Sequence, residues 1–152
     1  VTFEVGPAKL TSRLIPGDFP PYRKLIPSGY PNKLIIGKEP LLEALRRVRL
    51  LVKDQVTSVR IALKPEQVTL TVTTADVGTA TEDVDANYEG ADMVIAFNPD
   101  FLAQGVEAMS SDEVLLEATD PIRQVTLKPA GADGAPTGDY LYLLMPVRVQ
   151  QA

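Results

Sequence analysis

Apolar and polar positions alternate from the first residue. Val1, Phe3 and Val5 are separated by polar neighbours, Leu10 and Leu14 follow less cleanly, and Gly6-Pro7 between them is a turn signal. This pattern predicts a hairpin. Residues 16–31, PGDFPPYRKLIPSGYP, then carry five prolines, too many for a helix or a central strand, and read as a linker lying on the surface. Residues 32–38 form a short strand. Pro40 follows at a position suited to the first turn of a helix, which runs to about Lys53. Leu41, Leu45, Val48 and Val52 recur at helical spacing on one face, and Arg46, Arg49 and Lys53 form a separate basic stripe with Arg47 beside it.

Beyond the helix, residues 58–63, 67–73, 79–88 and 93–97 are alternating or β-branched and predict four strands in a meander. Asn98-Pro99-Asp100 offers an N-cap, a first-turn proline and an acid for the helix dipole. It opens a second helix to about Met109, with Phe101, Leu102, Gly105, Val106 and Met109 on its buried face. Residues 113–118, 122–128 and 139–149 complete the strands, with the connector PAGADGAPTGD between the last two. From residue 28 the expected order is β-α-ββββ-α-βββ, two helices over antiparallel sheet. This is an α+β domain, preceded by a hairpin that belongs to something else.

Composition narrows the chemistry. With 45% apolar and 23% charged residues, the 152-residue chain is an ordinary folding sequence. No apolar run nears the roughly 18 residues of a membrane span, and the expectation is a soluble, cytoplasmic protein. The opening, inside an alternating strand and without Met, suggests a piece of a longer chain. Cysteine and histidine are both absent, which removes disulfides, thiolate zinc sites and the commonest general base. Charge is divided unevenly: residues 1–57 hold ten Lys/Arg against five Asp/Glu, residues 58–152 five against fifteen. Either these are solvated faces, or one side of the molecule grips a polyanion that the rest repels.

Several segments invite a site and fail to supply one. Asp83-x-Asp85-x-Asn87 begins like a calcium loop, but Tyr88 stands where the tight turn needs Gly and Val94 where a bidentate Glu is required; an exposed strand face fits better. The glycine-rich 131–139 is followed by neither Lys-Ser/Thr nor a helix, so it reads as a hairpin loop. The adjacent carboxylates Asp112/Glu113 and Glu82/Asp83 point to opposite faces of strands or turns and do not converge. A carboxylate- or metal-dependent hydrolase is the alternative to a binding protein, and no acid/base pair supports it. The basic stripe suits sequence-independent phosphate contact or a solvated helix face, and both remain open. YLYLLMPVRV, residues 140–149, is nearly continuous in apolar residues, with Pro146 placed as at a sheet edge. It is either core, which composition favours, or a partner-binding groove.

Three segments carry a resemblance. TSRLIPGDFPPYRKLIP (11–27), YEGADMVIAFNPDFL (88–102) and YLYLLMPVRV (140–149) resemble, in order and at matching spacing, motifs of the bacterial DNA polymerase III β subunit, the sliding-clamp family. The resemblance implies a DNA clamp fold in which residues 1–27 end the middle domain and 28–152 form the third. It implies a non-catalytic processivity factor without cofactors or metal, a head-to-tail homodimeric ring around double-stranded DNA. Through short linear motifs the ring would tether DNA polymerase III and other polymerases, the clamp loader and mismatch-repair proteins.

Carried over by residue, it implies a partner-peptide pocket of Pro20, Lys24, Leu25, Val56, Asn98, Phe101, Ile122, Gln124, Leu143, Leu144, Met145, Pro146, Val147 and Arg148, which accepts peptides ending in Leu/Phe. It implies a ring interface through Leu50, Leu51 and Glu82, the last facing basic residues of another domain. Arg46, Arg47, Arg49 and Lys53 become the DNA-channel residues. Leu25, Val147 and Val56 depart from the family's usual Val, Met and aromatic residues, which bears on the depth of the pocket.

Overall fold

The computed structural model describes residues 1–27, 29–52, 57–75 and 77–148. The first hairpin forms as the alternation predicts: β1 (Thr2–Val5) pairs antiparallel with β2 (Ala8–Thr11), and Gly6 makes the turn with φ of 56°. The linker after it contains a 3-10 turn at Tyr22–Leu25.

The remaining elements occur in the expected order: β3 (Asn32–Gly37), α1 (Lys38–Arg49), β4 (Val59–Lys64), β5 (Gln67–Thr74), β6 (Gly78–Glu89), β7 (Met93–Phe97), α2 (Pro99–Glu107), β8 (Glu113–Ala118), β9 (Val125–Ala130) and β10 (Tyr142–Leu144). They build one eight-stranded order, β10-β9-β8-β3-β6-β5-β4-β7. This departs from the expected meander, because β7 pairs with β4 and not with β6. The long β6 serves two neighbours in succession. Residues 78–85 pair with β5, while 86–89 pair with β3 on the opposite side. The β3-facing edge of residues 78–85 therefore has no strand partner among the described residues.

Both helices lie on the face to which the even positions of β6 point. Leu41, Leu42, Ala44, Leu45 and Val48 of α1 and Leu102, Ala103 and Val106 of α2 pack with Leu34, Ile36, Val68, Leu70, Val84 and Tyr88 into one core. The helices run antiparallel and are pinned at both ends. Lys38 Nζ at the start of α1 donates to Met109 O (2.5 Å) beyond the end of α2, and Arg49 at the end of α1 pairs with Asp100 (2.5 Å) at the start of α2. The Lys38 ammonium meets the carbonyl end of α2, Arg49 lies at the C-terminal end of α1 and Asp100 at the N-terminal end of α2, each opposing the helix dipole it meets there.

Several boundaries differ from expectation. α1 begins two residues before Pro40, which stays within the first turn, and ends at Arg49. Lys53 and Val56 lie outside the described residues. Residues 122–124 do not join β9, because the Asp120 carboxylate accepts from the backbone amides of Ile122 and Arg123, both at 2.9 Å, and holds them in a turn. β10 is three residues long, and Pro146 lies beyond it. The chain then crosses to the far end of the strand order, where Val147 N donates to Ala96 O of β7 at 2.8 Å.

Candidate peptide groove and helix face

Asn32 anchors the region beside the linker. Buried at the start of β3, its Nδ2 donates to Ala118 O (3.2 Å) and Thr119 O (3.1 Å), while its Oδ1 accepts from Ala91 N (3.1 Å) and lies 3.2 Å from the Tyr88 hydroxyl. The Tyr88 hydroxyl has one proton and Ala91 O, at 2.6 Å, is its closer acceptor; the other three contacts of the amide hold the ends of β3 and β8 and the turn after β6 together. Burial, and secondarily the Asp92 carboxylate, raise the Tyr88 phenol above its ordinary pKa.

The C-terminal segment is set against α2 by close approach. Gly105 is buried, and a Cβ there would lie 2.5 Å from the Tyr142 ring. The Tyr140 hydroxyl donates to Gly105 O (2.9 Å) and the Tyr142 hydroxyl to Phe101 O (3.1 Å). Burial raises the Tyr140 phenol pKa, with Tyr142 adding to the effect. Asn98 caps α2 as expected, its Oδ1 accepting from Asp100 N at 2.9 Å and Phe101 N at 3.2 Å.

The segments carrying the candidate pocket residues are tied to one another. Gln124 Nε2 donates to Leu25 O at 2.9 Å, fastening the linker to the start of β9. Leu25 and Leu143 line a single cleft of about 610 Å³. Leu25, Ile122 and Met145 carry exposed apolar side chains, Met145 being 60% exposed, and Pro20, Lys24 and Arg148 are also exposed. Phe101 is 53% exposed and does not join the buried face of α2, because only Leu102, Ala103, Gly105 and Val106 turn inward with Pro99. Val147 is also partly exposed, beside β7.

Leu144 corrects the sequence reading. It is 5% exposed and part of the core, so its side chain is not available to a ligand. In an extended segment Leu143 and Met145 face one way and Leu144 the other. The cleft is also lined by Tyr22, Arg23, Ile26, Asp139 and Leu141, which the sequence reading omitted. Leu141 stands two residues from Leu143 on the same side, and that alternation was the available signal.

The basic residues of α1 are not equivalent. Arg47 Nε lies 3.0 Å from Glu82 Oε2 and its Nη1 3.7 Å from Glu43 Oε2. Arg49 is paired with Asp100. Arg46 makes no ion pair among the described residues and is exposed. Leu50, just past the helix, is 84% exposed, whereas Leu51 is partly buried against the core, its carbonyl accepting from the Thr74 hydroxyl at 2.6 Å. The acidic run behaves as a strand face: Asp83, Asp85 and Asn87 are exposed, Val84 is buried, and Asp83 accepts from the Thr69 hydroxyl at 2.6 Å. Loop 131–139 folds over the opposite face of the sheet, and Gly134, at φ of 73°, sits where a Cβ would strike Ile35. Among the described residues no helix is long and apolar enough to cross a membrane.

Comparison with known proteins agrees across sequence and structure. A family model described as the DNA polymerase III beta subunit, C-terminal domain, matches residues 23–148. The beta sliding clamp of Streptomyces coelicolor is 37% identical over 155 residues, covering 98% of this chain, and that of Synechococcus elongatus is 33% identical over 150 residues, covering 97%. This chain spans about 40% of the length of these relatives. The sliding clamp of Bartonella birtlesii solved bound to griselimycin superimposes with a TM-score of 0.87 at 30% identity, covering 97% of this chain and 38% of that one. A Caulobacter crescentus sliding clamp gives 0.84 at 30% identity over the same share of each.

Proposed function

The chain belongs to the family of the C-terminal domain of the DNA polymerase III beta subunit, and from that premise we propose that it works as the third domain of a sliding clamp, a non-catalytic, cytoplasmic processivity factor. Two copies of the full-length protein close head to tail into a ring around duplex DNA, and the ring tethers polymerases, the clamp loader and repair proteins through a peptide groove on this domain.

The observation that carries the reading is the convergence of apolar side chains from separate segments. Leu25 and Leu143 share one cleft, the linker is fastened to β9 by Gln124, and Met145 is exposed at the end of β10. An exposed apolar surface with a polar rim suits a short extended peptide with Leu/Phe anchors. The groove comprises Pro20, Lys24, Leu25, Asn98, Phe101, Ile122, Gln124, Leu143, Met145, Pro146, Val147 and Arg148; the side chain of Leu144 supports it from the core.

Residues 1–27 are assigned to the end of the preceding domain. Among the described residues the β1–β2 hairpin pairs only with itself and exposes Phe3, Val5 and Leu10, and such a two-stranded unit needs further strands for stability. Ring closure is assigned to the unpaired edge of β6 with Leu50, Leu51 and Glu82. DNA contact is assigned chiefly to Arg46, with Arg49 shared with Asp100. A topological link needs few strong contacts, and phosphate contacts that are weak and sequence-independent allow sliding.

Titration with a fluorescent clamp-motif peptide tests the groove, with the Leu143→Ala/Met145→Ala double variant alongside. Saturable micromolar binding that is lost in the double variant supports the assignment. Equal binding by both proteins overturns it.

A further inference from the structure

Arg47 stands on the exposed arc of α1 beside Arg46, yet it is not a free cation. Its guanidinium bridges Glu43 on the preceding turn and Glu82 on β6, and the 3.0 Å contact from Nε to Glu82 Oε2 is the closer. Two features place this pair where a partner would cover it. Leu50, three residues on and just past the end of α1, is 84% exposed, and the stretch of β6 that carries Glu82 has an edge without a strand partner among the described residues. Glu82 also differs from its acidic neighbours. The side chains of Asp83 and Asp85 are exposed on the outer face, whereas Glu82 is partly buried on the helix side with Ala80 and Val84.

Covering a carboxylate removes its water, and the cost is large unless a countercharge is covered with it. Glu82 does not depend on a partner for that countercharge, because α1 supplies it within the same domain. We infer that Arg47 is a positioning residue of the ring interface, holding Glu82 oriented and neutralised as the β6 edge is covered, and that it is not one of the phosphate contacts. This rests on the ring reading proposed above. It reassigns Arg47 from the DNA channel and changes the role of Glu82, whose partner is a residue of its own domain.

The test is the dimer dissociation constant of the full-length protein, measured by sedimentation of labelled protein for wild type, Arg47→Gln, Glu82→Gln and the double variant. Arg47→Gln leaves an uncompensated carboxylate in the interface and weakens the dimer by about tenfold. Adding Glu82→Gln removes that carboxylate and restores the constant to within about threefold of wild type, a rescue that mere damage to the fold does not produce. An unchanged or tighter dimer in Arg47→Gln overturns the inference while leaving the ring intact, and so does a weakened dimer that Glu82→Gln fails to restore. A wild-type protein that remains monomeric at micromolar concentration overturns the ring reading, and the inference falls with it.

Discussion

Leu144 and Met145 are adjacent in sequence and opposite in environment, so truncating each one separates folding from binding. Leu144 is 5% exposed in the core, and cutting a buried Leu to Ala costs roughly 2–5 kcal/mol depending on how far the site collapses. β10 is a three-residue edge strand able to shift inward, which favours the lower half of that range, about 2–3.5 kcal/mol. With a urea m-value of about 2 kcal/mol/M, the unfolding midpoint of Leu144→Ala falls by roughly 1–2 M. Met145 is 60% exposed, so little of its burial contributes to the free protein and Met145→Ala moves the midpoint by under about 0.5 M. Under the groove reading, peptide binding covers that remaining surface. Full burial of a Met side chain is worth about 1.5–3 kcal/mol, and the uncovered share gives roughly 1–2 kcal/mol, or about 5- to 30-fold in Kd. Urea unfolding followed by far-UV circular dichroism, and the fluorescent peptide titration, read the two effects separately. A large stability loss in Met145→Ala with unchanged Kd would refute the reasoning, because it would mean that residue 145 is core and the groove lies elsewhere.

Three further outcomes follow from particular contacts. Arg46→Ala removes one phosphate contact, so DNA affinity of the full-length ring falls and the slope of log K against log salt becomes shallower by about 0.9; an unchanged slope rules Arg46 out. Gly105→Ala brings a methyl group to 2.5 Å from the Tyr142 ring, forces α2 and β10 apart and costs about 1–3 kcal/mol in urea unfolding, whereas a neutral result means that Tyr142 moves freely. Tyr88 has a folded-state pKa above its unfolded value, so the folded protein holds that proton more tightly. The resulting stability is fully present below about pH 10 and is lost as pH rises through the folded value. Tyr88→Phe therefore loses about 1 kcal/mol at neutral pH, from the hydrogen bond to Ala91 O, and declines less steeply than wild type in alkaline melts. Equal alkaline slopes would exclude Tyr88 as a source of that loss.

The elements were legible in sequence because burial repeats with their periods. Leu41, Leu45 and Val48 give the helical spacing that buries α1, and Asn98-Pro99 marks the start of α2 to the residue. What periodicity could not supply were the tertiary decisions. Alternation alone does not exclude Ile122 from β9; the Asp120 side chain does so by capturing two amides. Phe101 looks like core by residue type, but α2 turns only the side beginning at Leu102 inward. The pocket residues came from motif resemblance, which follows the chain and not the space around it. For that reason it included Leu144, which faces away, and omitted Leu141 and Tyr22, which line the same cleft as Leu143.

Charge was the least legible property, since a sequence counts cations without saying which are already paired. Four basic residues at or just beyond the end of α1 suggest a strong polyanion surface. Among the described three, however, Arg47 is engaged with Glu43 and Glu82, and Arg49 with Asp100. Each of these pairs is half exposed and contributes little to stability, typically below about 1 kcal/mol. Their larger effect is on the surface field, because every neutralised arginine is one that phosphate must compete for. Under the ring reading, the described arginines near the end of α1 would offer duplex DNA one unshared cation, Arg46, while Arg47 and Arg49 are both paired. Under the ring reading that economy is functional. Each additional phosphate contact steepens the salt dependence and deepens the wells between successive positions on DNA, whereas a closed ring is retained by its topology and moves best when those wells are shallow.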